Sequence, residues 1–444
     1  MSDLSAHPHV LNIDTNTISE PGLFHGGTTI SNHVNHDNHE SSTDSNTNAS
    51  TMDISMMIYL RIRRCMDLCI PNAVTQILQT RQTLISGADR PNAACLAVCQ
   101  TVQTDYTGLY ERPLAHCLAI HPIALKILRM APSVAIAGAA GHLGQYITAA
   151  FLSPPFQDAF SRIILLSRQE QGVSSPLAQY KSHEKVVFRQ YDEKNPSSAL
   201  DGVQVLVNTI GASGHDFKEK LLRAIPGSDV RLYFPSEFGV DHYIHDFPHG
   251  EWDRKKKHDA LAREIIPSVK ICRVFCGLFL EDSIGPWFGL DTKHGKYESV
   301  GPASSPVSFT ALGDVGRVVA QLASRPVDQI PETVHIGGDT KSVTDIAKIM
   351  EQAGAGGIRV KEVDIQEYKS GAMNFTTSTD PAMFLRFLMG ERKIQHTEEG
   401  VGNDNESVNP GEKVWKWKIV EDLAKETKGR PWSDFDWFGD CCNC

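Results

Sequence analysis

The chain has 444 residues, enough for two or three domains or one large α/β unit with extensions. A net charge of −10 excludes the basic surplus that direct nucleic-acid binding needs. The first Lys or Arg is Arg61, so no basic n-region of a secretory leader is seen and the expected location is the cytoplasm, with the nucleus as a second compartment. The ten cysteines are accordingly read as reduced thiols and not as a disulfide framework.

Residues 1–130 read as a low-complexity extension. The first 55 are rich in Ser, Thr, Asn, Asp and His, with seven acids and no Lys or Arg. Such a segment buries too little apolar surface to offset ordering entropy, so disorder is expected. His33, His36 and His39, or Cys65, Cys69, Cys95 and Cys99, could in principle catch a metal. A solvated tail and loosely spaced thiols are the simpler readings, and no metal site is expected. Residues 56–130 follow no clean period.

From Pro132 the pattern becomes regular. Val134–Ala137 is a short apolar run that enters a turn, G-A-A-G-H-L-G, with Gly138, Gly141 and Gly144; a helix is predicted over Gln145–Leu152. Glycines at this spacing let backbone amides approach a pyrophosphate, whose charge a helix N-terminus favours. Ala131–Leu152 holds no Asp, Glu, Lys or Arg and is long enough to cross a bilayer. The three glycines, His142 and Gln145 inside it, and Pro154-Pro155 behind it, indicate a buried α/β unit, and no membrane contact is expected. Further strands are predicted at Arg162–Ser167, Val186–Gln190, Val203–Thr209, Val230–Phe234 and Val269–Phe275, with helices or loops between. That alternation predicts a doubly wound parallel sheet.

The second strand ends at Ser167-Arg168, with no acid before Glu170. A base there suits a 2′-phosphate, which favours NADP over NAD. The fourth strand ends at Asn208-Thr209-Ile210-Gly211 and the fifth at Pro235-Ser236-Glu237-Phe238-Gly239. Both carry small or turn-forming residues where ligands meet parallel sheets. Next, W-D-R-K-K-K-H opens a helix. Lys257 precedes Leu261 by one turn and Lys256 precedes Ala260, so either can face inward, while Lys255 points elsewhere. Neighbouring cations and partial burial make such a lysine a better proton donor near neutrality. No tyrosine is followed by Lys four residues later, so a Tyr-x-x-x-Lys dyad is absent.

Beyond Gly285 the rhythm loosens. Helices are predicted from Asp314, over Ser342–Ala353 and over Asp380–Met389, and strands over Thr333–Ile336 and Ile358–Ile365. Phe279, Trp287 and Phe288 are candidates for a pocket wall or for ordinary core.

The blocks G-A-A-G-H-L-G, L-L-S-R, F-P-S-E-F-G-V-D, W-D-R-K-K-K and C-R-V-F-C-G-L-F resemble the NmrA-like, isoflavone-reductase-like atypical short-chain dehydrogenases, fungal members most closely. The resemblance covers about residues 133–438 and implies an NADPH-binding Rossmann domain over 131–285. A smaller α/β substrate region over 286–439 and a short tail, 440–444, would follow. Carried over residue by residue, it implies cofactor contacts from Gly138, Gly141, His142, Leu143, Gly144, Arg168, Asn208, Ile210, Gly211, Pro235 and Ser236. Lys257 matches the general acid/base, with Lys256 second. The implied activity is NADPH-dependent reduction of a small, largely apolar or aromatic substrate. The family also holds dinucleotide-binding regulators that act through protein partners without turnover, which gives the alternative reading.

Overall fold

The computed structural model describes residues 131–167, 176–378 and 380–434. The extension 1–130, Arg168 and the tail 440–444 lie outside the described residues.

Six parallel strands form the main sheet: β1 (Ser133–Ala137), β2 (Arg162–Ser167), β3 (Val186–Gln190), β4 (Val205–Asn208), β5 (Leu232–Phe234) and β6 (Lys270–Ile271), in the order β3-β2-β1-β4-β5-β6. This is the doubly wound Rossmann order, whose chain reversal falls between β1 and β4. Three helices connect the strands around the reversal: α1 (His142–Phe151), α2 (His215–Arg223) and α3 (Gly250–Ile265). Strand β1 is buried on both faces. Val134 and Ile136 join one apolar cluster and Ala135 and Ala137 the other, as the two-residue period of a strand requires.

The run expected as one strand, Val269–Phe275, breaks at Cys272. Its first half is β6; its second, β7 (Arg273–Phe275), leaves the main sheet to pair with the later strand Thr333–His335. Strand β8 (Leu278–Phe279) and helix α4 (Leu280–Ser283) follow at once. The remainder contains β9 (Leu290–Asp291), β10 (Lys296–Val300), β11 (Val307–Thr310), helix α5 (Leu312–Ala323), β12 (Thr333–His335), β13 (Asp339–Lys341), helix α6 (Val343–Gln352) and β14 (Arg359–Val363). They form two three-stranded sheets, β14-β10-β9 and β13-β11-β8, and the β12-β7 pair. Helix α6 carries a capping box: the Asp345 amide donates to Ser342 Oγ at 3.1 Å and the Ser342 amide to Asp345 Oδ2 at 3.3 Å.

Helix α5 packs on α1. Gly316 permits the approach, since a Cβ there would lie 2.6 Å from the Tyr146 carbonyl oxygen. Val315, Val318, Val319 and Leu322 therefore complete the core of the main sheet, joined by Trp415 and Trp417. A separate apolar cluster, which includes Leu290, Tyr297, Phe309, Ile346, Phe384 and Phe387, holds the rest of the C-terminal half. Among the described residues no helix is long and apolar enough to cross a membrane.

Candidate dinucleotide and proton-transfer site

Gly138 leaves β1 with φ +81°, and a Cβ on it would meet Thr209 Oγ1 at 2.8 Å and the Ile210 amide at 3.1 Å. The Gly141 amide closes the turn on the Gly138 carbonyl at 2.9 Å. A Cβ on Gly144 would run into that same carbonyl. Gly141 caps α1 without any side-chain hydrogen bond, and the first turn holds no acid. The helix thus begins with its first amides, including those of His142, Leu143 and Gly144, free of side-chain caps. That cradle fits a diphosphate group.

His142 reaches across the turn: its Nε2 lies 2.9 and 3.0 Å from the two carboxylate oxygens of Asp282 on α4. The hydrogen bond to Asp282 raises the imidazole above its ordinary pKa.

The end of β4 lies against the turn. Thr209 donates to the Ala137 carbonyl through both its amide and its hydroxyl, each at 2.8 Å. Asn208, fully buried, accepts from the Ile210 amide at 3.1 Å and donates to Tyr233 Oη at 3.1 Å. Tyr233 Oη lies 2.8 Å from His258 Nε2 on α3. Ser236, at the end of β5, donates to the Ile210 carbonyl at 2.9 Å. The residues expected at the cofactor, except Arg168, therefore gather at the carboxyl ends of β1, β4 and β5. Tyr233→Phe is expected to lower unfolding free energy by about 1–3 kcal/mol, because Asn208 and His258 each lose a buried partner. Chemical denaturation measures this, and a loss under about 0.5 kcal/mol, the range of neutral surface changes, would contradict the network's role.

The lysine orientation differs from expectation. Lys257 is exposed, whereas Lys255 and Lys256 are half-buried. The buried face of α3 is formed by Glu251, Trp252, Asp259 and Ala262, and Lys255 falls on it at four residues from both Glu251 and Asp259. Counting apolar positions pointed to the face of Leu261, but the inward face is mostly polar. Lys255 acts electrostatically on Glu237, His242, Glu251 and Cys276.

Glu237, of the F-P-S-E-F-G block, is 2% exposed. Burial pushes its carboxyl up to about 7, against the pull of Lys255. Its Oε2 lies 3.5 Å from His242 Nε2, too far for a hydrogen bond to form. Lys218, on α2, is also buried, and burial followed by repulsion from Lys255 lowers its pKa to about 8. Sequence reasoning set Lys255 aside, named Glu237 only as part of a turn and did not single out Lys218. Lys218 was legible: it sits three, four and seven residues before Leu221, Leu222 and Ile225, all buried, and so on the inward face of α2. The candidate wall residues separate. Phe288 is buried in the C-terminal cluster, Trp287 stacks edge-on against Trp432 at 4.9 Å, and Phe279 packs against the sheet core. Among the described residues no group of His, Cys, Asp or Glu could hold a metal ion.

Burial lowers His242 to about 2 and His245, His258 and His396 to about 4. These imidazoles are neutral in the fold and titrate near 6.5 when unfolded, so their contribution is present above pH 6.5 and lost as pH falls toward 4. Glu237, raised to about 7, and Asp314, raised to about 6, work the other way, as does the half-exposed His142. Four depressed imidazoles outweigh these, so the melting temperature is expected to fall between pH 6.5 and pH 5. An unchanged or higher value in a thermal scan at pH 5 would contradict the balance.

The sequence pattern of the NmrA-like family matches residues 130–393. An NmrA-like family domain-containing oxidoreductase from Gibberella moniliformis is 29% identical over 154 residues, which are 34% of this chain and 50% of that protein. The match thus spans half the length of that curated relative. Among solved structures, the binary complex of leucoanthocyanidin reductase with NADPH from Vitis vinifera superposes with a TM-score of 0.54 at 17% identity, covering 67% of this chain and 99% of that one. Isoflavone reductase gives the same TM-score, identity and coverage. At such identities these two show the fold, which is the one described above. The family match covers more than half of the chain, including the glycine turn, the ends of β4 and β5, and the lysine helix: the protein belongs to the NmrA-like family.

Proposed function

We propose that the protein is an NADP(H)-dependent oxidoreductase that reduces a small, largely apolar or aromatic substrate. The observation that carries this reading is the uncapped glycine turn set beside a lysine–carboxyl cluster at the ends of β4 and β5. The NADPH in the Vitis vinifera complex and the oxidoreductase description of the Gibberella relative support the same reading.

Gly138, Gly141, His142, Leu143 and Gly144 would hold the diphosphate, Arg168 the 2′-phosphate, and Asn208, Ile210, Gly211, Pro235 and Ser236 the rest of the dinucleotide. The bound cofactor supplies a hydride. Lys255, in place of Lys257, would hand a proton to the substrate oxygen. Glu237, buried nearby, is a carboxyl on which Lys255 acts electrostatically. Residues 286–439 supply the substrate region, and the cytoplasm is the proposed location.

The test uses the full chain with NADPH deuterated at its transferable position and a panel of aromatic enones and benzylic ethers. Deuterium is expected at a carbon of the product. Tight NADPH binding with no deuterium transfer to any of the panel would favour the other reading, a dinucleotide-sensing regulator that acts through protein partners.

A further inference from the structure

Lys218 is 3% exposed, yet it makes no hydrogen bond or ion pair among the described residues. An ammonium has three donor hydrogens and no acceptor, and a buried cation is ordinarily paired. Here the pairing is withheld. Glu251 and Glu237 are within electrostatic reach of Lys218, but neither forms an ion pair with it. The Glu251 carboxylate is engaged by His215 Nε2 at 2.6 Å. Glu237 faces His242. Among like charges Lys255, the lysine already assigned to proton transfer, acts on Lys218 most strongly. Helices α2 and α3 pack into the same apolar cluster, and the His215–Glu251 contact joins their first turns. Lys218 and Lys255 each lie about one turn further along, so two ammonium groups share one neighbourhood, and Lys218 lacks a protein acceptor among the described residues.

We propose that Lys218 and Lys255 form a two-ammonium clasp for an anionic oxygen, a carboxylate or an enolate, of the molecule bound beside the dinucleotide. This rests on the oxidoreductase reading for the identity of that molecule as substrate. It narrows the substrate class from neutral aromatics to aromatic or unsaturated molecules that carry an acidic or enolisable oxygen. Lys218 supplies fixed positive charge and hydrogen bonds, while Lys255 remains the proton donor. Repulsion between the two cations in the free protein is relieved when the anion enters. The lowered pKa of Lys218 accords with an ammonium that lacks its counter-ion.

The test reads Lys218 directly in the full chain. Lysines are reductively methylated with 13C-formaldehyde, which keeps their charge, and the Lys218 and Lys255 resonances are assigned from Lys218→Met and Lys255→Met. Formate serves as the probe because it is the smallest carboxylate, and chloride at equal ionic strength as the control. The Lys218 resonance should shift saturably with formate, and its titration midpoint should move upward by at least half a pH unit. In Lys255→Met the formate midpoint should weaken at least threefold. A Lys218 resonance that responds identically to formate and chloride would overturn the clasp and leave water as the acceptor. Lys218→Arg, which keeps the charge and also removes the Lys218 resonance, supplies the assignment if Lys218→Met does not fold. NADPH titration of the same sample separates the two ideas. NADPH binding without a formate response sinks the clasp alone. A formate response without NADPH binding keeps the anion site and sinks the reductase reading.

Discussion

Gly144→Ala is expected to destabilise the fold by about 1–3 kcal/mol, the usual cost of forcing atoms into filled space. A Cβ at this position would strike the Gly138 carbonyl and lie 2.9 Å from Ala139 Cα, all of it backbone that cannot rotate away. For a domain of this size each kcal/mol lowers the melting temperature by roughly 2–4 °C. The turn would also have to open, which spreads the first amides of α1, so NADPH affinity should drop at least tenfold. Gly211→Ala is the contrasting variant. A Cβ there meets nothing within 4 Å, and its φ is −72°, which any residue adopts. It should melt like the unsubstituted protein while weakening NADPH, because the space it fills is the space the dinucleotide is proposed to occupy. Thermal scans paired with NADPH titrations check both. Equal melting temperatures for Gly144→Ala and the parent would contradict the packing argument.

Lys255→Met is expected to cost about 10²–10⁴ in turnover with NADPH saturating, the usual worth of a positioned general acid. Lys257→Met should stay within about twofold, since an exposed lysine with no hydrogen bond or ion pair among the described residues has little to lose. NADPH affinity should be preserved in both, because the glycine turn lies on a different element. Turnover measured on whichever substrate takes up deuterium decides the matter. A large loss in Lys257→Met with little change in Lys255→Met would return the proton to the residue that the sequence pattern favoured.

The parts of the fold legible in the sequence are those where one physical rule dominates. Strands β2 and β3 have the expected bounds, because continuous apolar or β-branched runs between polar turns leave little choice. Helix α6 was marked at both ends, by the Ser342–Asp345 box and by Gly354. Helix α1 begins three residues before the expected Gln145, since His142 already follows an N-cap glycine in extended conformation. The division of Val269–Phe275 was illegible: V-K-I-C-R-V-F holds no Gly, Pro or other turn residue to mark a break, and only its partner β12, 60 residues away, pulls the second half out of the main sheet. Lys255 was misjudged for a related reason. Helical-face reasoning follows apolar residues, and the inward face of α3 is lined by Glu251 and Asp259, whose burial is set by tertiary partners such as His215 and Arg273.

The glycine turn and the ends of β4 and β5 are proposed to bind NADP(H). Calorimetric titration of the full chain with NADPH, and separately with NADH, tests this most directly. The expected result is one saturable site per chain, tighter for NADPH than for NADH, with the heat sharply reduced in Gly211→Val, whose side chain blocks the site without disturbing the fold. Absence of saturable heat with either nucleotide, or an unchanged isotherm in Gly211→Val, would contradict the account.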